Sequence, residues 1–109
     1  MAQLGIIKTI ESAHGTKEIH GHSFRIEVIL KGQVKNDMVE GIDFHEAQRE
    51  VASVVNRLDK KYLNDIIPRA TVENIAVYIL KELRSLPIES VTVWEAADRF
   101  ARIFASEVV

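Results

Sequence analysis

Residues 20–30 read HGHSFRIEVIL, and their alternation decides how the rest of the chain is arranged. His20, His22, Phe24, Ile26, Val28 and Leu30 fall on one parity, and Gly21, Ser23, Arg25 and Glu27 on the other. Side chains of a strand project alternately to its two faces, so this is a strand with an apolar face toward a core and a polar face away from it. Upstream, LGIIKTIESA (residues 4–13) alternates more loosely, and Leu4, Ile6, Ile10, Ser12 and His14 share a parity. The five residues GTKEI (15–19) between His14 and His20 have the length and the glycine of an antiparallel hairpin turn. Closing the hairpin there brings His14 back beside His20 and His22.

Working outward, KGQVKNDMVEG (31–41) reads as a loop. Asp43 followed three residues later by Glu46 is a capping-box arrangement, and Phe44, Ala47, Val51, Val54, Val55 and Leu58 then recur at helical spacing, predicting a helix over 44–58. DKKYLNDIIPRA (59–70) is a connector. Thr71 caps a second amphipathic helix that extends to about residue 85, buried through Val72, Ile75, Ala76, Ile79 and Leu83 and closed by Pro87. ESVTVWEAA (89–97) is a third strand and DRFARIFASEV (98–108) a fourth, its pattern weakened by Ala101 and Ala105. Strands grouped around a helical pair give the order β-β-α-α-β-β. The expected class is α+β, an antiparallel four-stranded sheet with two helices on one face.

A length of 109 residues predicts a single domain, 1–109, small enough to gain from oligomerisation. The net charge of −2 argues against nucleic-acid or membrane partners. With no cysteine, disulfides, thiolate metal sites and a cysteine nucleophile are excluded, so any metal must use His, carboxylate or water. Neither a signal peptide nor a membrane span is evident, and the cytoplasm is the expected location.

Three of the four histidines fall within nine residues. His20 and His22 share the core parity, where two neighbouring imidazoles are costly unless hydrogen-bonded or metal-bound. Three neutral imidazoles at one end of a sheet suit three tetrahedral corners of zinc, with the fourth open to water or substrate. The competing reading is three unrelated histidines half exposed at a hairpin end. Spacing leaves both readings standing; phase with the core favours the metal.

At these residues the chain resembles the 6-pyruvoyl tetrahydropterin synthase family, which includes the 6-carboxytetrahydropterin synthases. The resemblance runs over about residues 10–100, through His14, HGHSF, DMVEGIDF, LDKKYLND, TVENIAVYI and VTVWEA. It implies Zn2+ on His14, His20 and His22, and a tunnelling fold that assembles into a barrel-like homo-oligomer. Such oligomers are typically hexamers, dimers of trimers, with active sites at subunit interfaces. It also implies a zinc-dependent lyase acting on dihydroneopterin triphosphate or a related dihydropterin, giving a 6-pyruvoyl, 6-carboxy or 6-hydroxymethyl product. Glu95 is the implied pterin anchor, with Thr71 and Glu73 helping to hold the ring.

The physical case for Glu95 is its parity with Val91 and Val93, which points it inward, and the fit of a carboxylate to the two parallel N–H donors of a pterin edge. The alternative is a strand-end glutamate paired with Arg99. Thr71 as N-cap and Glu73 in the first helical turn have adequate structural roles as well. His45 is expected to lie outside the site, and Trp94, of opposite parity to Glu95, to pack between layers or subunits.

The chain departs from the family where protons move. Relatives carry a cysteine base before the HGH pair and an Asp-His dyad after the first helix; here the turn has no cysteine and the dyad reads Asp59-Lys60. Three readings stand side by side. Glu18 replaces the base, as in relatives that cleave the side chain to a 6-hydroxymethylpterin, although their glutamate lies three residues before the pair and Glu18 lies two before His20. Alternatively a desolvated Lys60 is the base. In the third reading the protein is a re-purposed, non-catalytic homologue that keeps zinc and a pterin or purine-like ligand. The working assignment is Glu18 with Asp59 nearby. A plain structural oligomer is the remaining class, and zinc content separates it from the others.

Overall fold

The computed structural model describes residues 1–108. Strands β1 (Ala2–His14) and β2 (His20–Gly32) form a long antiparallel hairpin, with Ile6 opposite Val28, Ile10 opposite Phe24 and His14 opposite His20. The turn therefore closes over residues 15–19, as the alternation predicts. A two-residue hairpin follows, β3 (Val34–Lys35) and β4 (Met38–Val39), within the stretch expected to be loop. Its turn residues Asn36 and Asp37 both have left-handed φ, 52° and 66°, as a type I′ turn demands. An Asn-Asp pair is suited to that geometry, but two-residue strands are too short to alternate visibly.

Helix α1 (Phe44–Asn56) starts at Asp43, whose carboxylate accepts the Glu46 N–H, and α2 (Val72–Glu82) starts at Thr71, whose hydroxyl accepts the Asn74 N–H. Both caps stand where the sequence puts them, and both helices end two or three residues earlier than their apolar periodicity suggests. Leu58 and Leu83 remain buried beyond the last turns, so periodicity follows burial rather than helical hydrogen bonding. Strands β5 (Ile88–Ala96) and β6 (Arg99–Phe104) complete a sheet of order β1-β2-β5-β6, antiparallel throughout. This is the expected α+β arrangement.

The inner faces of the strands bury Ile6, Ile10, Phe24, Ile26, Val28, Leu30, Val91 and Val93 against Val51, Val55, Ile75 and Ile79 of the helices. Burying a side chain of this size contributes about 1.5–3 kcal/mol. Among the described residues, no helix is long and apolar enough to cross a membrane.

The polar end of the core is built differently. After α1, the chain runs along the free edge of β1. The Lys60 N–H donates to the Glu11 carbonyl (2.7 Å), the Ala13 N–H to the Lys61 carbonyl (2.9 Å), and the Asp59 carboxylate accepts the Glu11 N–H (2.9 Å). Lys60 takes a left-handed φ of 56° to make this approach. The connector thus becomes a lid over the end of the sheet that carries the histidines.

Candidate active site

Four side chains converge at the hairpin end: His14 from β1, His20 and His22 from β2, and Glu95 from β5. One ligand atom from each lies within 4.8 Å of every other. The imidazole centroids are 4.6 Å (His14 to His20), 5.2 Å (His14 to His22) and 4.8 Å (His20 to His22) apart, and the rings meet edge to face. Phe24, fully buried, forms the floor, its ring centroid 5.2 Å from that of His14 and 5.5 Å from that of His22.

The outward ring nitrogens of His14 and His20 already have partners. His14 Nδ1 lies 2.6 Å from the Ala70 carbonyl, and His20 Nδ1 lies 3.0 Å from the Glu18 carbonyl. A carbonyl only accepts, so both Nδ1 atoms carry a proton, and in the neutral imidazole the lone pair then belongs to Nε2. His14 Nε2 is buried with no hydrogen-bond partner. His22 Nε2 is likewise left without a hydrogen bond, for the Glu95 carboxylate at 3.2 Å is near it but not aligned with it. Burial holds the His22 imidazolium below its ordinary pKa of 6.5; Glu95 opposes this, while His14, His20 and Arg99 reinforce it. Two buried imidazole nitrogens without a hydrogen-bond partner, on His14 and His22, beside two rings whose Nδ1 atoms are fixed on carbonyls, on His14 and His20, make a donor arrangement suited to a metal ion. The cluster can hold a metal ion.

Glu95 points inward, as its parity with Val91 and Val93 predicts, and it sits at an irregularity that parity does not reveal. Across β5 and β6, Trp94 pairs with Phe100 and Ala96 with Arg99, leaving Glu95 as the extra residue of a bulge. The same carboxylate oxygen is 3.7 Å from Arg99 Nη2, so the pairing weighed as the alternative is present together with the inward one. Trp94 lies on the helix-free face, where its indole N–H donates to Glu27 (3.1 Å) and its ring packs 4.5 Å from that of Phe100. His45 is exposed on α1, outside the cluster.

Beside the imidazoles opens a cavity of about 410 Å³, lined by His14, Thr16, Asn64, Arg69, Thr71, Glu73 and Glu95 among others. That volume lies in the range of small-molecule sites. Thr71 and Glu73 therefore face the same space as Glu95 and His14. Of the residues considered as bases, Glu18 sits in the exposed turn between the imidazoles, its carbonyl on His20. Asp59 and Lys60 lie along the β1 edge beside Glu11, outside the lining of this cavity.

Asn64, Arg69 and the Ala70 carbonyl also border the site, and the sequence does not announce them. The backbone carbonyl has no sequence signal, and an asparagine or arginine in a connector resembles any solvated one. Gly15 was legible only as a turn residue. Its φ is +118°, and a Cβ there would lie 2.1 Å from the Glu18 carbonyl oxygen, so the turn that orients His20 admits only glycine.

The fold is shared with the 6-pyruvoyl tetrahydropterin synthase of Caenorhabditis elegans, with a TM-score of 0.82 at 18% identity over 94% of each chain. It is also shared with the Plasmodium vivax 6-pyruvoyltetrahydropterin synthase, in a form in which a catalytic glutamate is replaced by alanine. There the TM-score is 0.70 at 19% identity, covering 94% of this chain and 96% of that one. This is the tunnelling fold.

The family follows from sequence. Residues 7–106 match the model of the 6-pyruvoyl tetrahydropterin synthase family. The chain is 38% identical over 109 residues to a putative 6-carboxy-5,6,7,8-tetrahydropterin synthase of Archaeoglobus fulgidus, covering 92% of this chain and 93% of the relative. It is 35% identical over 97 residues to a dihydroneopterin monophosphate aldolase of Pyrococcus furiosus, covering 80% and 83%. The chain belongs to the 6-pyruvoyl tetrahydropterin synthase family, whose members are pterin-metabolising enzymes.

Proposed function

We propose that the chain is a zinc-dependent lyase that cleaves the side chain of a phosphorylated dihydroneopterin to a 6-hydroxymethyl dihydropterin. The observation that carries this reading is the trio of His14, His20 and His22 with two stranded Nε2 atoms beside a cavity shared with Glu95, Thr71 and Glu73. His14, His20 and His22 would hold the metal. Bound zinc supplies Lewis acidity to the hydroxyls of the substrate side chain.

Within this reading the other residues bind and move protons. Glu95 exchanges its contact with His22 for the paired N–H groups of the pterin edge, with Thr71 and Glu73 lining the ring's position. Glu18 takes the proton of the 2′-hydroxyl as that oxygen becomes an aldehyde. The bond between side-chain carbons 1′ and 2′ breaks, and its electron pair passes into the C6–N5 double bond of the ring. A proton returned to carbon 1′ completes the hydroxymethyl product, and glycolaldehyde phosphate leaves. No oxidant or reductant is needed.

Carbon–carbon cleavage, rather than triphosphate elimination, is favoured by the turn, which offers Glu18 and no cysteine, and by the likeness to an aldolase. Asp59 supports the base from a neighbouring subunit in the barrel-like homo-oligomer, a hexamer of two trimers in the cytoplasm.

The second reading, a homologue that binds zinc and a pterin without turnover, rests on a separate observation. The Asp59 carboxylate is engaged by the Glu11 N–H, and Lys60 is exposed. Incubation of the zinc-loaded protein with dihydroneopterin monophosphate and triphosphate, with mass-spectrometric identification of products, separates the two. Glycolaldehyde phosphate with 6-hydroxymethyl dihydropterin is the expected result. Inorganic triphosphate release overturns the cleavage assignment, and pterin binding without product establishes the second reading.

A further inference from the structure

Asn64 occupies a short 3-10 turn (Leu63–Asp65) between the two helices, and both ends of its amide are used. Its Oδ1 accepts the Gly15 N–H at 2.9 Å, and its Nδ2 donates to the Pro68 carbonyl at 3.0 Å. Each bond leads to a different imidazole. Gly15 opens the turn whose Glu18 carbonyl accepts from His20 Nδ1, and Pro68 lies two residues before Ala70, whose carbonyl accepts from His14 Nδ1.

Neither orienting carbonyl belongs to a helix or a strand ladder, so its position depends on how its loop is tied down. The Gly15 side has a second tie, the Tyr62 hydroxyl donating to the Gly15 carbonyl at 2.7 Å. The Pro68 side has one through Arg69, whose carbonyl accepts from Asn74 Nδ2 at 2.8 Å. Asn64 alone among these residues joins the two loops to each other.

We propose that Asn64 is a positioning residue of the metal centre, holding the two loops in the register that aims Nε2 of His14 and of His20 at one point. The proposal rests on the reading of the histidines as a metal site. An amide is required because one bond needs an acceptor and the other a donor. Aspartate at this position keeps the Gly15 bond and sets a carboxylate against the Pro68 carbonyl, disturbing the His14 side alone.

The test uses the full chain and zinc alone, in competition with a chromogenic chelator, together with the visible absorption of the cobalt-substituted protein and the thermal midpoint of the metal-free protein. Asn64→Ala is expected to weaken zinc binding roughly tenfold to a hundredfold, the range for loss of groups that orient metal ligands, and to alter the cobalt spectrum. Asn64→Asp is expected to fall between it and the wild type. Zinc affinity within about twofold of wild type with an unchanged cobalt spectrum overturns the proposal, whatever happens to the thermal midpoint. Should Asn64→Ala fail to fold, Asn64→Asp decides by the same criteria. If the wild-type chain itself takes up no zinc, the metal reading falls and the proposal with it, an outcome distinct from an Asn64 variant that binds normally.

Discussion

At one end of the sheet β1 and β2 meet on their inner faces through Leu4 opposite Leu30 and Ile6 opposite Val28; at the other, through Ser12 opposite His22 and His14 opposite His20. The strands and the parity continue unbroken from one end to the other, and burial persists through Ser12 and His14 on β1 while it lapses at His20 on β2, yet the chemistry inverts beyond Phe24. What changes is the cover. Over the aliphatic end lie α1 and α2, whose backbone groups are spent within the helices and which offer only side chains to the sheet. Over the polar end lies the connector between the helices, with unspent carbonyls. Ser12 donates to the carbonyl of Leu58 and His14 to that of Ala70. A buried polar side chain is tolerated where its cover can hydrogen-bond it, and loop backbone can do so.

The sharpest way to break this contrast is at its boundary. Phe24→Ala removes a fully buried ring from beneath both ends and is expected to cost about 3–5 kcal/mol of stability, read from urea unfolding. Next in size, His14→Ala is expected to weaken zinc binding on the order of a hundredfold or more, read by chelator competition, since a tetrahedral site loses one of its protein ligands.

Glu95→Gln then separates two roles for a carboxylate 3.2 Å from His22. As a pterin anchor its loss weakens binding of a dihydropterin by about tenfold, the scale of a charge-assisted hydrogen bond, and leaves zinc affinity unchanged. A parallel fall in zinc affinity would make it a metal ligand instead. Thr71→Ala is expected to cost about 1 kcal/mol through the lost cap of α2, measured by thermal unfolding.

The smallest effect is that of pH on the metal-free protein. Because burial lowers the His22 pKa below 6.5, the unfolded chain binds more protons than the folded one between the folded-state value and 6.5. Its contribution to stability is therefore complete above pH 6.5 and lost as pH falls through the folded-state value. Urea midpoints across that range should decline with acid, and His22→Asn should flatten the decline.

Much of this was legible. The alternation of residues 20–30 and the five-residue turn sufficed to bring three imidazoles together, because hairpin register follows from turn length and parity. Both helix caps were readable from Asp43 and Thr71, whose hydrogen bonds are local. The bulge at Glu95 was not, since a bulge is decided by how β6 pairs with β5 and leaves no mark in β5 alone. The β3–β4 hairpin was missed because two residues cannot display a period. The placement of Asp59 and Lys60 on the edge of β1 escaped as well, for it depends on backbone groups of Glu11 and Ala13 nearly fifty residues away in sequence.

The sequence by itself determined the class of fold, the core faces of its strands and helices, and the identity of the three imidazoles, all matters of local periodicity and spacing. Tertiary structure decided which nitrogen of each of two imidazoles carries a proton. That follows from the carbonyls of Ala70 and Glu18, held in place through Asn64 and Gly15. Backbone carbonyls are common to every residue, so no sequence pattern can announce which of them will meet an imidazole; only the folded path of the loops does that.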